Sequence, residues 1–286
     1  IECLIRQAIR TARIATSDVR QQREIVDAVA SHIAGMDLNS SPADLSHVAY
    51  WETTRITGTA DPFEKLKHDQ NVLALSLGAE MRELVRTSDA PLHTALHLSA
   101  AGNVIDLGTH HHADIDLQAA IEQALRERFA VDHTAALEKS LENCSDLLFL
   151  LDNAGEIVFD KILIEELRKY TKVTAVVKGA PVINDVTMAD AEQVGLTAVC
   201  EVIDNGGPYI GTPLNRVPSA LLERMAAADV IIGKGQGNYE TVDDYDGDVF
   251  LILRAKCPIV ADHMGVGFGQ VGLISTRLRA EHSGGN

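Results

Sequence analysis

Over the first 135 residues or so, apolar positions return at intervals of three and four. Ile5, Ala8, Ile9 and Ala12 share one helical face, as do Ile25, Val26, Val29 and Ile33. Asp61-Pro62 then sets a capping residue before a proline suited to a first helical turn. The pattern beyond it predicts a long helix with an apolar stripe through Leu66, Val72, Leu73, Leu77, Met81 and Leu84. No convincing two-residue alternation occurs here, so residues 1–135 are expected to form a helical N-terminal domain.

After about residue 140 the rhythm changes. Short apolar runs at Leu147–Leu151, Val173–Val177, Ala198–Ile203, Val230–Ile232 and Val249–Leu253 alternate with amphipathic stretches such as Ile157–Tyr170 and Pro218–Ala227. Such alternation predicts βαβ units, a mostly parallel sheet and helices on both faces, placed in a second domain over 136–286.

Open α/β sheets bind ligands beyond the carboxyl ends of their strands. The first run ends in Asp152-Asn153-Ala154-Gly155-Glu156 and the second in Lys178-Gly179, followed by Asn184-Asp185. The third ends in Asp204-Asn205-Gly206-Gly207 and the fourth in Gly233-Lys234-Gly235-Gln236-Gly237-Asn238. Loops are polar anyway, but four successive clusters of this kind mark one rim and a crevice above it.

Asp152, Asn153 and Asp185 present oxygen ligands, the choice of a hard divalent cation; capping of the following helix is the competing use of Asp152 and Asn153. Lys234, among glycines after a strand, suits a phosphate or else a solvated turn, and neither a dinucleotide fingerprint nor Walker spacing is present. His110, His111 and His112 are consecutive and point in different directions, so a polar loop suits them better than a shared metal. Cys257 is expected as a small core residue and Trp51 as core or interface packing.

Charge narrows the partners. Lys and Arg number 25 against 41 Asp and Glu, a net charge of -16, so the molecular field repels nucleic acid and anionic lipid. No apolar run approaches the ~20 residues of a membrane helix. Cys3, Cys144, Cys200 and Cys257 lie far apart, as free thiols of a reducing cytoplasm do. The segment from Ile1 to Arg13 reads as an amphipathic helix rather than a signal peptide.

The stretches "LLDNAGEIVFD", "VVKGAPVINDVT", "IIGKGQGNYET" and "RAKCPIVAD", with "DPFEKLKHDQN" and "AAGNVIDLG" before them, span nearly the whole chain. In this order they resemble the metal-dependent damage-control phosphatases, a former domain of unknown function that includes acidic residue methyltransferase-like proteins. The resemblance implies a helical N-terminal domain, a Rossmann-like α/β/α domain and a site between them. It puts metal ligands at Asp152, Asn153 and Asp185 and brings Lys234 to the substrate phosphate. Asn103 and Asp106 would approach from the helical side, with Lys178, Asn205, Gly206, Asn238 and Glu240 as further candidate substrate contacts. Two departures stand out. The similar branch begins with a C-x-x-C pair where only Cys3 is present, and Asn205 replaces a small hydroxyl residue before glycine.

The expected activity is hydrolysis of a small phosphate ester, such as a sugar phosphate or damaged phosphometabolite, with Mg²⁺, Mn²⁺, Co²⁺ or Ni²⁺ as cofactor and water as nucleophile. Asp152 and Lys234 are the expected catalytic groups. Asp152 as nucleophile is less favoured, because haloacid-dehalogenase-type phosphatases carry a second aspartate where Ala154 stands. The rivals are carboxyl methyl transfer from S-adenosylmethionine, for which the glycine-rich loop after the first strand is missing, and a metabolite-binding module without turnover.

Overall fold

A computed structural model of the chain describes residues 2–37, 42–102, 117–242 and 244–283. Among the described residues, seven helices precede the first strand: α1 (Glu2–Ala15), α2 (Val19–Ile33), α3 (Pro42–Thr57), α4 (Glu64–Thr87), α5 (Pro91–Ala101), α6 (Leu117–Arg126) and α7 (Thr134–Leu141). The α/β part follows as β1 (Asp146–Leu150), α8 (Glu156–Leu167), β2 (Lys172–Val177), α9 (Met188–Gln193), β3 (Glu201–Asp204) and α10 (Ser219–Ala227). It continues through β4 (Val230–Lys234), α11 (Gly235–Val242), β5 (Val249–Arg254), α12 (Pro258–Met264), β6 (Val271–Ser275) and α13 (Thr276–Ser283).

The strands form one sheet in the order β3-β2-β1-β4-β5-β6. β1 pairs in parallel with both β2 and β4, and strand order reverses between those neighbours. β1, β2, β4 and β5 are buried almost throughout, the burial that parallel strands covered on both faces require. Alternate residues of β1 divide the core. Leu147 and Phe149 face a cluster with Ala74 and Met81 of α4, Leu96 of α5 and Phe159 of α8. Leu148 and Leu150 face Met225 of α10, Tyr239 of α11 and Val260 of α12. The core of α4 and α5 is thus continuous with that of the sheet, whereas α1, α2 and α3 share a small cluster of their own around Leu4, Ala8, Val29 and Ala49.

Several details differ from the sequence reading. β6 was not foreseen; it runs antiparallel to β5 and is short, with Gly265, Gly267 and Gly269 before it. Its outer side is paired to the chain before β1, as Ala130 N donates to Val271 O (2.7 Å) and Leu273 N donates to Val131 O (2.9 Å). β3 begins at Glu201, not at Ala198. α4 begins at Glu64, and Asp61 Oδ1 accepts from Phe63 N (2.9 Å) in the turn before it. The buried face of α4 is Lys67, Gln70, Asn71, Ala74, Gly78, Met81 and Val85, leaving Val72 and Leu84 exposed. Trp51 is also exposed, edge-on to His32, while Cys257 packs half-buried against the core.

Candidate active site

The site forms where the strand order reverses. Leu151 N still donates to Val176 O (3.0 Å), after which the chain leaves the sheet and pairs with the loop beyond β2. Val186 N donates to Asp152 O (2.8 Å) and Ala154 N donates to Asn184 O (2.9 Å), an antiparallel bridge that sets Asn153 opposite Asp185. Ile183, just before this bridge, has φ 38, a left-handed conformation that costs a branched residue on the order of 1–3 kcal/mol. Its side chain packs with Tyr50, Phe63 and Val182, a cluster that holds the turn in place.

Asp152 and Asp185 are 8% and 1% exposed. Burial, followed by the neighbouring charges of Asp185 and Glu156, holds the Asp152 carboxyl well above the usual carboxylate range. Burial likewise raises Asp185 to about 6, with the Lys178 ammonium opposing the shift. Asp185 Oδ2 is buried without a hydrogen bond. The Lys178 Nζ lies 3.5 Å from it and donates to Gly211 O at 2.9 Å. Asn153 Nδ2 donates to Asp152 Oδ2 (2.6 Å) and Glu156 Oε1 (3.1 Å), which leaves Oδ1 as the acceptor end of the amide.

Two buried carboxylates, each held above the usual carboxylate range, an unbonded Asp185 oxygen and an oriented amide fit a hard divalent cation. Among the described residues no group of three His, Cys, Asp or Glu side chains could hold a metal, so the third protein oxygen would be that of Asn153.

These groups line a cleft of about 310 Å³. Its cations are Arg6 and Arg10 of α1 and Lys256, and Phe63, Ile183 and Ile210 supply apolar lining. A larger hollow of about 1050 Å³, between Met81, His97 and Phe129, contains no strand-end residue. The sequence reading missed Lys256 because it followed four strand ends to the rim and omitted the fifth, β5. It missed Arg6 and Arg10 because an exposed face of an amphipathic helix carries no sign of what lies across from it.

Other expected contacts fall elsewhere. Lys234 is 2% exposed; its Nζ donates to Asp160 Oδ1 (2.6 Å) and Ser99 O (2.8 Å) and lies 3.6 Å from Glu156 Oε2. Burial alone would lower its pKa, but Asp160 and Glu156 outweigh that and raise it. It does not line the cleft, because its side chain turns to the α5 and α8 face of the sheet. It meets only a small hollow of about 20 Å³ that also touches Asp152, Glu156 and Lys256. Asn205 Oδ1 accepts from Gly179 N (2.9 Å) and Gly207 N (3.3 Å), and Gly206 packs on Pro218, so both serve the β2 and β3 loops. Asn238 is fully buried, donating to Lys234 O (2.7 Å) and Leu151 O (3.2 Å). Glu240 accepts from Ala43 N (3.0 Å) of α3. Asn103, Asp106 and the histidines at 110–112 lie outside the described residues.

The fold and cleft define a Rossmann-like α/β protein with an acidic, oxygen-rich site at its switch point. The chain belongs to the damage-control phosphatase ARMT1-like domain family, whose model matches residues 1–271. It is 31% identical over 270 residues to a damage-control phosphatase of Pyrococcus horikoshii, covering 93% of each chain. An Archaeoglobus fulgidus damage-control phosphatase is 30% identical over 278 residues, 94% of this chain and 95% of the other. The crystal structure of a DUF89 family protein from P. horikoshii superposes with a TM-score of 0.88 at 30% identity, over 96% of each chain. Among the described residues no helix is long and apolar enough to cross a membrane.

Proposed function

We propose that the protein is a metal-dependent phosphatase that hydrolyses small phosphate esters in the cleft above β1 and β4. The names of its relatives support the phosphatase class. The observation that carries the metal dependence is the Asp152, Asn153 and Asp185 set, with a buried Asp185 oxygen that no hydrogen bond satisfies. These three residues would hold the cation. When bound, a divalent cation polarises a phosphoryl oxygen and lowers the pKa of water.

The chain's own residues supply the rest. Arg6, Arg10 and Lys256 offset charge on the phosphoryl oxygens from the far side of the cleft, the work the sequence had suggested for Lys234. Lys178 balances Asp185, and Glu156 accepts from the Asn153 amide nitrogen and so helps to hold that side chain. Lys234 balances the Asp160 and Glu156 charges beneath the site. A cleft of about 310 Å³ suits a metabolite rather than a polymer, and the net charge of -16 opposes nucleic acid.

A matrix of phosphate release tests this reading, with sugar phosphates and related monoesters against Mg²⁺, Mn²⁺, Co²⁺ and Ni²⁺. Release is expected to stop in chelator and return with metal. Full turnover in chelator by protein that retains no metal would exclude the metal, and methyl transfer from S-adenosylmethionine without phosphate release would exclude the phosphatase.

A further inference from the structure

Asn71 lies in the middle of α4, outside the sheet, yet it is completely buried. A polar residue on the buried face of a helix requires partners, and its partners here are the loops that carry the acidic set. Asn71 Oδ1 accepts from Gly155 N (2.8 Å), the amide of the turn that follows Asp152 and Asn153. Gly155 has φ 78, so this turn takes a conformation that few other residues adopt. Asn71 Nδ2 donates to Asp190 Oδ1 (3.2 Å) and Gln193 Oε1 (2.8 Å) on α9.

Asp190 in turn governs the second loop. Its Oδ2 accepts from Thr187 N (2.9 Å) and Thr187 Oγ1 (2.8 Å), closing the turn that follows Asp185. The same oxygen accepts from Lys67 Nζ (3.0 Å), which also pairs with Asp61 Oδ2 at 2.9 Å. One amide therefore joins the turn after Asp152 and Asn153 to the turn after Asp185, and Lys67 anchors the junction to the same helix.

We propose that Asn71 is a positioning residue that fixes the spacing between Asp152 with Asn153 and Asp185, and thereby sets the affinity of the site for a divalent cation. The inference rests on the metal reading above and adds to it a residue that touches neither cation nor substrate. Outer partners that orient metal ligands are commonly worth ~10- to 100-fold in metal affinity.

The donor and acceptor roles allow a test that mere loss of packing cannot imitate. Asn71→Asp sets carboxylate against carboxylate at Asp190, and Asp190→Asn sets amide N–H against amide N–H. The double variant exchanges the two groups and restores one donor facing one acceptor. Each full-length protein is titrated with Mn²⁺ by calorimetry, and its thermal unfolding is recorded in chelator. Each single variant is expected to bind Mn²⁺ ~10- to 100-fold more weakly, and the double variant is expected to regain the larger part of the loss. Wild-type Mn²⁺ affinity in both folded single variants overturns the proposal, as does a double variant whose loss equals the sum of the singles. If Asn71→Asp does not fold, Asp190→Asn alone decides: weakened binding upholds the proposal and unchanged binding overturns it. A wild-type protein that takes up no Mn²⁺ overturns the metal reading itself, an outcome the variants cannot produce.

Discussion

A Cβ on Gly235 would lie 1.9 Å from Asp152 Oδ2. Gly235 is the first residue beyond β4 and Asp152 the second beyond β1, so the two strands flanking the switch point leave space for the carboxylate only because glycine follows one of them. Gly235 also has φ 77, which costs a residue with a Cβ ~1–2 kcal/mol. Gly235→Ala is expected to displace Asp152, weaken Mn²⁺ binding at least tenfold, or ~1.4 kcal/mol, and lower the unfolding temperature by a few degrees. Calorimetry and thermal unfolding measure the two effects, and unchanged Mn²⁺ affinity would show that Asp152 is not a ligand.

The sign of the pH dependence should differ with and without metal. Burial raises Asp185 to about 6, above its unfolded value of 3.8, so the folded protein holds a proton the unfolded chain releases. Its contribution to the stability of the metal-free protein is full below about 3.8 and is lost as pH rises through about 6. A cation needs the ionised carboxylate. The Mn²⁺-induced rise in unfolding temperature should therefore shrink as pH falls from 7 to 5, where the metal-free protein gains from this group. Unfolding scans in chelator and in Mn²⁺ across that range read both slopes.

Asp185→Asn separates these effects at one pH. It removes the carboxylate that balances the buried Lys178 ammonium, so the metal-free variant should unfold at a lower temperature than wild type at pH 7. Mn²⁺ affinity should fall at least tenfold, and excess metal should restore part of the turnover. A destabilised variant with undiminished Mn²⁺ binding would assign Asp185 to the fold alone.

Lys234 and Lys256 should respond in opposite ways. Lys234→Ala leaves Asp160, completely buried, without its cation and is expected to cost ~3–5 kcal/mol of stability. Lys256 is exposed and lines the cleft, so Lys256→Ala should leave the unfolding temperature within about a degree while raising KM or lowering kcat severalfold. Thermal unfolding with steady-state phosphate release distinguishes them. A stable Lys234→Ala protein that had lost only turnover would return that lysine to the substrate.

The parallel strands and their polar ends were legible because two-face burial writes unbroken apolar runs, and a rim of Asp, Asn, Lys and Gly writes the interruptions. Lys67 and Asn71 were not. They occupy the inner face of α4, where the periodic signal expects apolar side chains, and so the stripe was read through Val72 and Leu84, which face solvent. A buried polar residue shows its reason only through its partners, and Asp190 lies 119 positions from Asn71. The packed place of Lys234 was hidden for the complementary reason. A lysine among glycines looks solvated or ready for a ligand until Asp160, 74 positions away, is seen against it.

The pairing of β6 with the chain around Val131 has a bearing on how copies of this protein meet. Unpaired backbone at a sheet border is a template for another molecule's strand. At the β6 border those groups are already engaged by residues 130–133. The opposite border is β3, four residues long, where Glu201 pairs with Lys172 at 3.1 Å. Within the described residues, one border of the sheet is already paired and the other is only four residues long, so neither presents a long open edge to a second sheet.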